Sequence, residues 1–488
     1  MQRSSPFNTG PIFLIIGALL ATLGAAMMLP ALVDLAAAND DWVVFAAGSL
    51  VTVMVGLGLT QTGSGRPTTL SSRQAVLMTV GAWTVLPAFA ALPLLWSGAT
   101  TSYTDAFFEA MSGITTTGAT VIEELEGLPP GVLVWRSMLQ WLGGLGVVVM
   151  AVAILPMLRV GGMQLFKTEA FDTPDKILPR ATQISGSLIA VFTVFTALCA
   201  LAYAAAGMEF FDAANHAMTT VATGGFSTRS ASIGAFDSGA VEWVAIIFMI
   251  LGSLPFLLYV QAAQGRPMGL LKDSQIHVFL ILLLIFSVLL AIVLNPQTAE
   301  AGALTDLRRA TFNVVSVMTG TGYASTDYGA WGPLAVSVFL VLTLIGGCAG
   351  STACGMKVFR VQIAIKTVSQ HVRRLAYPHG VFVMRYNSHP VDGTVVSAVM
   401  SFIFLYFVLI GLIAIALMGM GLDALTAISG AATALANVGP GLGDIIGPSG
   451  NFSTLPDLAK WLLSAAMLVG RLELFTVLVL ILPRFWRA

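Results

Sequence analysis

The chain has 488 residues, of which 57% are hydrophobic and only 10% are charged. A soluble protein of this size carries roughly a quarter charged residues, so the composition excludes an ordinary soluble enzyme. The same apolar composition excludes a nucleic-acid binder with a basic face and a disulfide-stapled secreted domain, whereas the balance of 23 basic and 24 acidic side chains says little. The three cysteines lie in apolar or glycine-rich stretches without metal-ligand spacing, and we interpret them as small core residues: Cys199, Cys348 and Cys354.

Long apolar stretches with few charges predict ten membrane-spanning helices, because in lipid the backbone must satisfy its own hydrogen bonds. In chain order they are 11–29, 42–59, 74–96, 132–158, 188–206, 240–259, 277–294, 334–357, 395–418 and 461–482. Two interpretations of the first stretch remain open. The small residues at 35–38 resemble a signal-peptide cleavage site, whereas the length of the run and the single preceding cation, Arg3, favour a retained helix.

The charges predict the orientation of these helices. Seventeen of the 23 basic residues fall on one side, which the positive-inside rule makes cytoplasmic, together with both termini. They are Arg3, Arg66, Arg73, Arg159, Lys167, Lys176, Arg180, Arg266, Lys272, Lys357, Arg360, Lys366, Arg373, Arg374, Arg385, Arg484 and Arg487. Eighteen of the 24 acids fall on the opposite side. Either they concentrate cations at an outer mouth or they keep the outer loops soluble.

Four outer connections contain an apolar segment that is too short to span the membrane. Each begins near an aspartate, which suits the positive end of a short helix: Asp105, Asp212, Asp306 and Asp423. Each ends in a stretch where a β-branched residue precedes a glycine: Gly118, Gly224, Gly322 and Gly439. The following span carries a further glycine that permits close helix packing: Gly143, Gly252, Gly346 and Gly470.

This repetition predicts an all-α multispan membrane protein with four pseudo-repeated units of helix, pore loop and helix around one central pore. The predicted divisions are an N-terminal helix pair (1–73) and repeats 1 to 4 (74–182, 183–274, 275–392 and 393–488). Four loops around one axis can point backbone carbonyls at a monovalent cation and replace its hydration shell. The candidate filter residues are Thr116, Thr117, Gly118, Ala222, Thr223, Gly224, Gly320, Thr321, Gly322, Asn437, Val438 and Gly439.

At these residues the chain resembles the superfamily of potassium transporters (Trk, Ktr and HKT), and the extra helix pair before Gln74 resembles the TrkH type in particular. The resemblance implies K⁺ as the transported ion, bound at the filter residues, with no further cofactor in this chain. It also implies a homodimer in the bacterial inner membrane and a cytoplasmic, nucleotide-binding regulatory ring of the TrkA type. The four loops differ chemically, which predicts looser selectivity than in a strictly fourfold filter.

Two features below the predicted filter are candidates for control of ion flow. The eighth span runs into a stretch with four glycines, Gly346, Gly347, Gly350 and Gly355, followed by Lys357. We interpret this stretch as a mobile gate, which the resemblance also implies, although a close helix crossing is the alternative. Lys357 lies at its inner edge or extends towards the membrane surface.

Arg471 is the only cation that the sequence places in the middle of a span. It is predicted either to be an electrostatic barrier in the pore, as the resemblance implies, or to be a structural residue that pairs with Glu473 or with carbonyls across helices.

Channel-like uptake of potassium is the leading functional prediction, and a potassium symporter coupled to H⁺ or Na⁺ is the alternative. An intramembrane enzyme is disfavoured because the sequence has no phosphate loop, nucleotide fingerprint, nucleophile motif or metal cluster. A purely structural scaffold would not need four matching loops.

Overall fold

The computed structural model describes residues 9–63, 71–153, 178–294, 302–387 and 389–486. The described residues are mostly helical. The first ten helices are α1 Gly10–Ala26, α2 Met28–Ala36, α3 Trp42–Thr62, α4 Ser72–Trp96, α5 Tyr103–Ile114, α6 Pro130–Ala153, α7 Leu178–Ala205, α8 Phe210–Val221, α9 Gly239–Gly252 and α10 Phe256–Ala263. The next ten are α11 Met268–Lys272, α12 Ser274–Leu294, α13 Ala303–Met318, α14 Pro333–Leu344, α15 Val358–Ala376, α16 Gly393–Gly419, α17 Ala424–Ala436, α18 Asp457–Arg471, α19 Phe475–Leu478 and α20 Pro483–Trp486.

Short 3₁₀ helices occupy Ser232–Phe236, Tyr328–Trp331 and Val479–Ile481. An antiparallel pair of two-residue strands joins Arg385–Tyr386 to His389–Pro390. The predicted end of the fourth span at 158 and six predicted inner cations lie outside the described residues: Arg3, Arg66, Arg159, Lys167, Lys176 and Arg487.

The N-terminal helices are held against the rest of the protein by close packing and by one buried acid. A Cβ on Gly17 of α1 would lie 2.6 Å from the Gly56 carbonyl oxygen of α3, so the two backbones touch. Asp34 of α2 is fully buried, and its Oδ1 accepts the Gly131 N–H at the start of α6 at 2.6 Å. An acid at that position satisfies a helix N-terminus that has no partner of its own.

Within the described residues, seven helical segments are long and apolar enough to cross a membrane, and two sharply bent pairs raise the number to nine. The fold class is therefore confirmed as a multispan helical protein. Two of the ten predicted spans are sharply bent, and the eighth is interrupted where its glycine-rich stretch predicted an interruption. The sixth span bends by 88° between α9 and α10. The tenth span bends by 108° after α18, and the eighth remains helical only over Pro333–Leu344.

Each break has a local cause. Between α9 and α10 lies Pro255, which lacks an amide hydrogen and cannot continue a helical ladder. After α18, Glu473 and Leu474 adopt positive φ angles of 62° and 35°, which end a right-handed helix. After α14 the glycine-rich residues 345–357 run as irregular backbone until α15 begins. We call residues 345–357 the interrupting segment.

All four short helices predicted between the spans are present: α5, α8, α13 and α17. Asp105, Asp212 and Asp306 lie in the first turns of the first three, and the Asp423 side chain accepts the Thr426 N–H at the start of the fourth. Their opposite ends are buried between the longer helices. Two large apolar clusters surround them, one containing Trp135, Phe402 and Leu463 and the other containing Phe256, Phe312 and Phe339.

The predicted packing glycines lie where close approach is needed. A Cβ on Gly143 would lie 1.9 Å from the Ile114 carbonyl oxygen, at the C-terminal end of α5. A Cβ on Gly252 would likewise press on the C-terminal end of α8, and a Cβ on Gly470 would press on the C-terminal end of α17. Gly346 instead lies against the Cys354 carbonyl, within the interrupting segment. Glycine thus lets three of the longer helices touch the ends of the short ones.

Candidate functional site

Four loops with one common geometry follow the short helices. We define them as loop 1 (115–118), loop 2 (222–225), loop 3 (319–322) and loop 4 (436–439). In each, the N–H of the third residue donates to the carbonyl five residues earlier, at 2.8 to 3.1 Å. In each, the second and fourth residues have positive φ. The second residues are Thr116, Thr223, Gly320 and Asn437.

This geometry corrects the predicted alignment of the loops. The fourth residue is a glycine with positive φ in every loop, and in loop 2 it is Gly225 rather than Gly224. Gly224 is the third residue, equivalent to Thr117, Thr321 and Val438. The predicted motif of a β-branched residue before glycine therefore fails in loop 2.

The four loops close into a ring. A Cβ added to the fourth residue of any loop would collide with the carbonyl oxygen of the third residue in the next loop, or press closely on it. The distances are 2.3 Å for Gly118 to Gly224 O, 1.9 Å for Gly225 to Thr321 O, 2.0 Å for Gly322 to Val438 O and 2.8 Å for Gly439 to Thr117 O. The contacts run from loop 1 to 2, 3, 4 and back to 1. We call this arrangement the loop ring.

Side-chain hydroxyls support loops 1 and 3 in the same way. Thr115 and Thr117 hydroxyls lie 2.7 Å apart, and those of Thr319 and Thr321 lie 2.8 Å apart. Loop 4 is held by Asn437, whose Nδ2 donates to Thr117 Oγ1 and to the Met467 carbonyl, both at 2.9 Å. The predicted filter residues are thus brought together by the structure.

Loop 2 is held by α6, which belongs to the preceding repeat. Gln140 donates from Nε2 to the Gly224 carbonyl at 2.6 Å and accepts the Phe226 N–H at Oε1 at 2.9 Å. One turn earlier, Arg136 donates to the Ser227 carbonyl at 2.9 Å and lies over the Phe226 ring.

Arg136 also forms a buried ion pair with Glu109 of α5, at 2.8 Å. Arg136 lies near the start of the fourth predicted span, so Arg471 remains the only cation predicted for the middle of a span. Glu109 lies on another helix, so no local spacing could reveal the pair.

The acids at the start of the short helices are partly neutralised. Asp105 contacts Lys460 Nζ at 2.6 Å, and Asp212 contacts Arg229 at 2.7 Å. The hydrogen bond to Asp212 raises the pKa of Arg229. Asp105 and Asp212 are therefore ion-paired rather than free negative charges, which weakens the interpretation that the outer acids concentrate cations.

The interrupting segment lies directly beneath the loop ring and is anchored to the break between α9 and α10. Thr352 Oγ1 donates to the Gly252 carbonyl at 2.8 Å, and Thr223 Oγ1 of loop 2 donates to Thr352 Oγ1 at 3.1 Å. The Cys348 N–H donates to the Ser253 carbonyl at 3.1 Å. From α12, Gln275 Oε1 accepts the Ala349 N–H at 2.9 Å. Thr352 and Gln275 were not identified from the sequence.

Arg471 is the last residue of α18 and is only 4% exposed. Its Nη1 donates to the Thr352 carbonyl at 3.3 Å and contacts Cys354 Sγ. Its Nε and Nη2 have no hydrogen-bond partner among the described residues. Glu473 instead accepts from Arg360 of α15, so Arg471 does not pair with Glu473. The bond to the Thr352 carbonyl corresponds to the other half of that alternative, a carbonyl of another element.

Lys357 ends the interrupting segment and is also buried, with Nζ donating to the Ala353 carbonyl. Arg471, Lys357, Cys354 and Gly350 line a cavity of about 30 Å³ beneath the ring, which has room for water. The expectation that Lys357 extends towards the surface is therefore wrong. The four glycines of the predicted gate all lie in this segment, and Gly350 and Gly355 have positive φ.

The described residues contain no group of three or more histidine, cysteine or acidic side chains that could hold a metal ion. Any ion at the ring would have to use backbone carbonyl and hydroxyl oxygens, which are suitable ligands for alkali cations rather than for transition metals.

Comparison with known proteins identifies the family. A profile described as TrkH, cation transport protein, matches residues 42–487. The chain is 45% identical to the Trk system potassium uptake protein TrkI of Halomonas elongata, over 98% of this chain and 97% of the relative. It is 36% identical to the Trk system potassium uptake protein TrkH of Escherichia coli, over 97% and 98%. The crystal structure of the potassium transporter TrkH from Vibrio parahaemolyticus matches with a TM-score of 0.91 at 35% identity, covering both chains completely. The chain belongs to the TrkH family of cation transport proteins.

Proposed function

We propose that this protein takes up potassium through the loop ring, as a channel-like membrane subunit of a Trk system in the bacterial inner membrane. The observation that carries the proposal is the closed sequence of contacts in which each loop's glycine lies against the next loop's carbonyl oxygen. Four equivalent carbonyls at one level can replace the hydration shell of an alkali cation. The short helices aim their negative C-terminal ends at the same place. The relatives' names provide the ion, since they are potassium uptake proteins.

The interrupting segment is proposed as the gate. It lies below the ring and its backbone is irregular. Thr352 bonds to the Gly252 carbonyl through both its N–H and its hydroxyl, whereas Cys348 and Ala349 donate one N–H each to neighbouring elements. Four glycines allow it to adopt other backbone conformations at low cost. Arg471 is proposed as a barrier to cations, because two of its nitrogens are buried beside the cavity without a partner among the described residues.

The assembly is proposed as a homodimer, with a TrkA-type nucleotide-binding ring on the cytoplasmic side, where both termini are predicted to lie. This part rests on membership of the TrkH family and on the basic residues predicted to face the cytoplasm. Light scattering of the purified protein, with and without the ring protein, measures both assemblies.

The test is uptake of ⁸⁶Rb⁺ or K⁺ by purified protein in liposomes, with Na⁺ as competitor. Potassium-selective uptake that follows the electrical potential supports the channel-like mechanism. Uptake that requires a gradient of H⁺ or Na⁺ would support the symporter. Equal fluxes of Na⁺ and K⁺ would contradict the assignment of potassium.

Two variants test the gate and the barrier in the same liposomes. Deletion of residues 349–352 removes the Thr352 and Ala349 hydrogen bonds and is expected to raise uptake without activation. Unchanged uptake would remove the gating assignment.

Arg471→Ala is expected to raise uptake by removing the buried charge, and unaltered uptake in a folded protein would leave Arg471 with a structural role.

A further inference from the structure

The third residue of loop 2 differs from its three equivalents. Loops 1, 3 and 4 have Thr117, Thr321 and Val438 at this position, whereas loop 2 has Gly224. Gly224 does not adopt a left-handed conformation, so its backbone does not require glycine. The reason for the difference must lie in its surroundings.

The surroundings of Gly224 are filled by Gln140. A Cβ on Gly224 would lie 2.4 Å from both Cδ and Oε1 of Gln140, a separation that atoms do not tolerate. A side chain at 224 and the present Gln140 conformation therefore exclude each other. Loops 1 and 3 use the hydroxyl contacts Thr115–Thr117 and Thr319–Thr321, but the equivalent residues of loop 2 are Ala222 and Gly224. Gln140 replaces that internal support with an external one.

Both ends of the Gln140 amide are used. Nε2 donates to Gly224 O at 2.6 Å, Oε1 accepts from Phe226 N at 2.9 Å, and the side chain is fully buried. A rotated amide would place its donor against the Phe226 N–H and its acceptor against the Gly224 oxygen, so the observed orientation is fixed. The Gly224 oxygen is therefore held in one direction by a partner outside the loop.

Gly224 O is one of the four third-residue carbonyls of the loop ring. Its hydrogen bond to Gln140 occupies one lone pair and withdraws electron density, so this carbonyl presents a weaker field to an ion than an unbonded one. Discrimination between alkali cations depends on the number and field strength of the coordinating carbonyls. We propose that Gln140 is a positioning residue that sets the preference of this ring for potassium over sodium, by fixing the Gly224 carbonyl. The inference rests on the proposed function.

The first experiment measures ⁸⁶Rb⁺ and ²²Na⁺ uptake in liposomes for the wild-type protein and Gln140→Met. Methionine keeps the length and lacks both hydrogen bonds. The rubidium-to-sodium ratio is expected to fall roughly threefold to tenfold, the range that one buried hydrogen bond is worth. The control is Trp141→Phe, which removes the neighbouring hydrogen bond from α6 to Thr196 Oγ1 at 3.0 Å and does not touch the ring. It is expected to leave the ratio unchanged.

An unchanged ratio in a folded, active Gln140→Met protein would overturn the inference. A wild-type protein that shows no preference for rubidium over sodium would instead contradict the proposed function, and this is known before any variant is measured.

A second set of variants keeps the test decisive if Gln140→Met does not fold. Gly224→Thr alone is expected to abolish uptake, because its Cβ meets Gln140. Adding Gln140→Ala and Ala222→Thr creates the room and the hydroxyl pair found in loops 1 and 3, and is expected to restore uptake. Full uptake by Gly224→Thr alone would contradict the inference, and so would a triple variant that shows no recovery. Either result would mean that Gln140 does not take the place of the hydroxyl pair in loop 2.

Discussion

Two fully buried glutamines each hold a loop by its backbone, but they hold it differently. Gln140 of α6 binds loop 2 through both its oxygen and its nitrogen. Gln275 of α12 accepts the Ala349 N–H of the interrupting segment through its oxygen, and its Nε2 has no partner among the described residues. Loop 2 lies in the closed ring, and the interrupting segment lies beneath it, on the proposed ion route.

The difference indicates that loop 2 is held more firmly than the interrupting segment, as expected if that segment is the proposed gate. Losing Gln140 leaves both the Gly224 carbonyl and the Phe226 N–H without this partner, whereas losing Gln275 leaves only the Ala349 N–H without it. The longer helices that follow loops 1 and 3 also differ in continuity. Over its described residues α6 continues past loop 1 without a break, whereas the helix after loop 3 ends at Leu344.

The largest effect on uptake is expected when a methyl group is added to a loop of the loop ring. Gly322→Ala places a Cβ 2.0 Å from the Val438 oxygen at a residue with φ of 82°. Because the ring must open to accept it, ⁸⁶Rb⁺ uptake in liposomes is expected to fall at least roughly a hundredfold. Gly411→Ala in α16 has open space around it and serves as the control. Near-normal uptake by Gly322→Ala would show that the ring is not the route.

The next effect concerns the ion pair behind loop 2. Arg136→Met leaves Glu109 charged and buried without its cation, which costs about 3–5 kcal/mol of stability. The measurement is heat-induced aggregation in detergent, followed by size-exclusion chromatography. Adding Glu109→Gln removes the uncompensated charge and is expected to recover most of the loss, because its amide oxygen can accept the Val121 N–H and its amide nitrogen can donate to Thr120 Oγ1. Equal stability of the single and double variants would exclude this explanation.

A smaller effect is expected at the interrupting segment, the proposed gate. Gln275→Met removes the acceptor of the Ala349 N–H and loosens the interrupting segment. Uptake without activation is expected to rise roughly threefold, the value of one net hydrogen bond. Gln362→Met is the matched control, because it breaks a hydrogen bond of 2.8 Å to Ser274 at the start of the same helix without touching the segment. A rise in both variants would assign the effect to α12 instead.

The smallest effect is the pH dependence of stability at Asp273, just before α12. Burial raises the pKa of this carboxyl above its usual range, although hydrogen bonds from Gln275 N and Asn387 act in the opposite direction. A raised pKa means that the folded state binds the proton more tightly, so its contribution to stability is lost as pH rises through the folded value. Asp273→Asn is expected to raise the melting temperature by roughly 1–2 °C at neutral pH and by less near about pH 4. A pH-independent difference would contradict the assignment.

Much of the fold was predictable because it follows from local chemistry. The long apolar runs and the four short helices, each with an aspartate at its start, are read from consecutive residues. The breaks were harder to predict. Pro255 is a visible signal for the first, but Glu473 and Leu474 have no sequence feature that indicates left-handed backbone.

The register of loop 2 was mispredicted because Gly224 and Gly225 are adjacent and either satisfies a search for glycine. Aligning Thr115 and Thr117 with Thr319 and Thr321 marks the third residue of a loop, but loop 2 has no such pair. The position of Gly224 is fixed by a hydrogen bond from Gln140, which lies 84 residues earlier in the chain on α6. Contacts at that distance are set by packing and have no signature in a single sequence.

The closure of the ring has a consequence for biosynthesis. The bond from Asn437 Nδ2 to Thr117 Oγ1 joins residues 320 positions apart. At roughly 5–20 residues per second, a ribosome needs roughly a quarter of a minute to a minute to make that intervening chain. During this time loop 1 lacks the neighbour that covers it, in a membrane that penalises exposed backbone. The loop ring therefore cannot close, and loop 1 cannot gain its loop 4 neighbour, until the last repeat has been made and inserted.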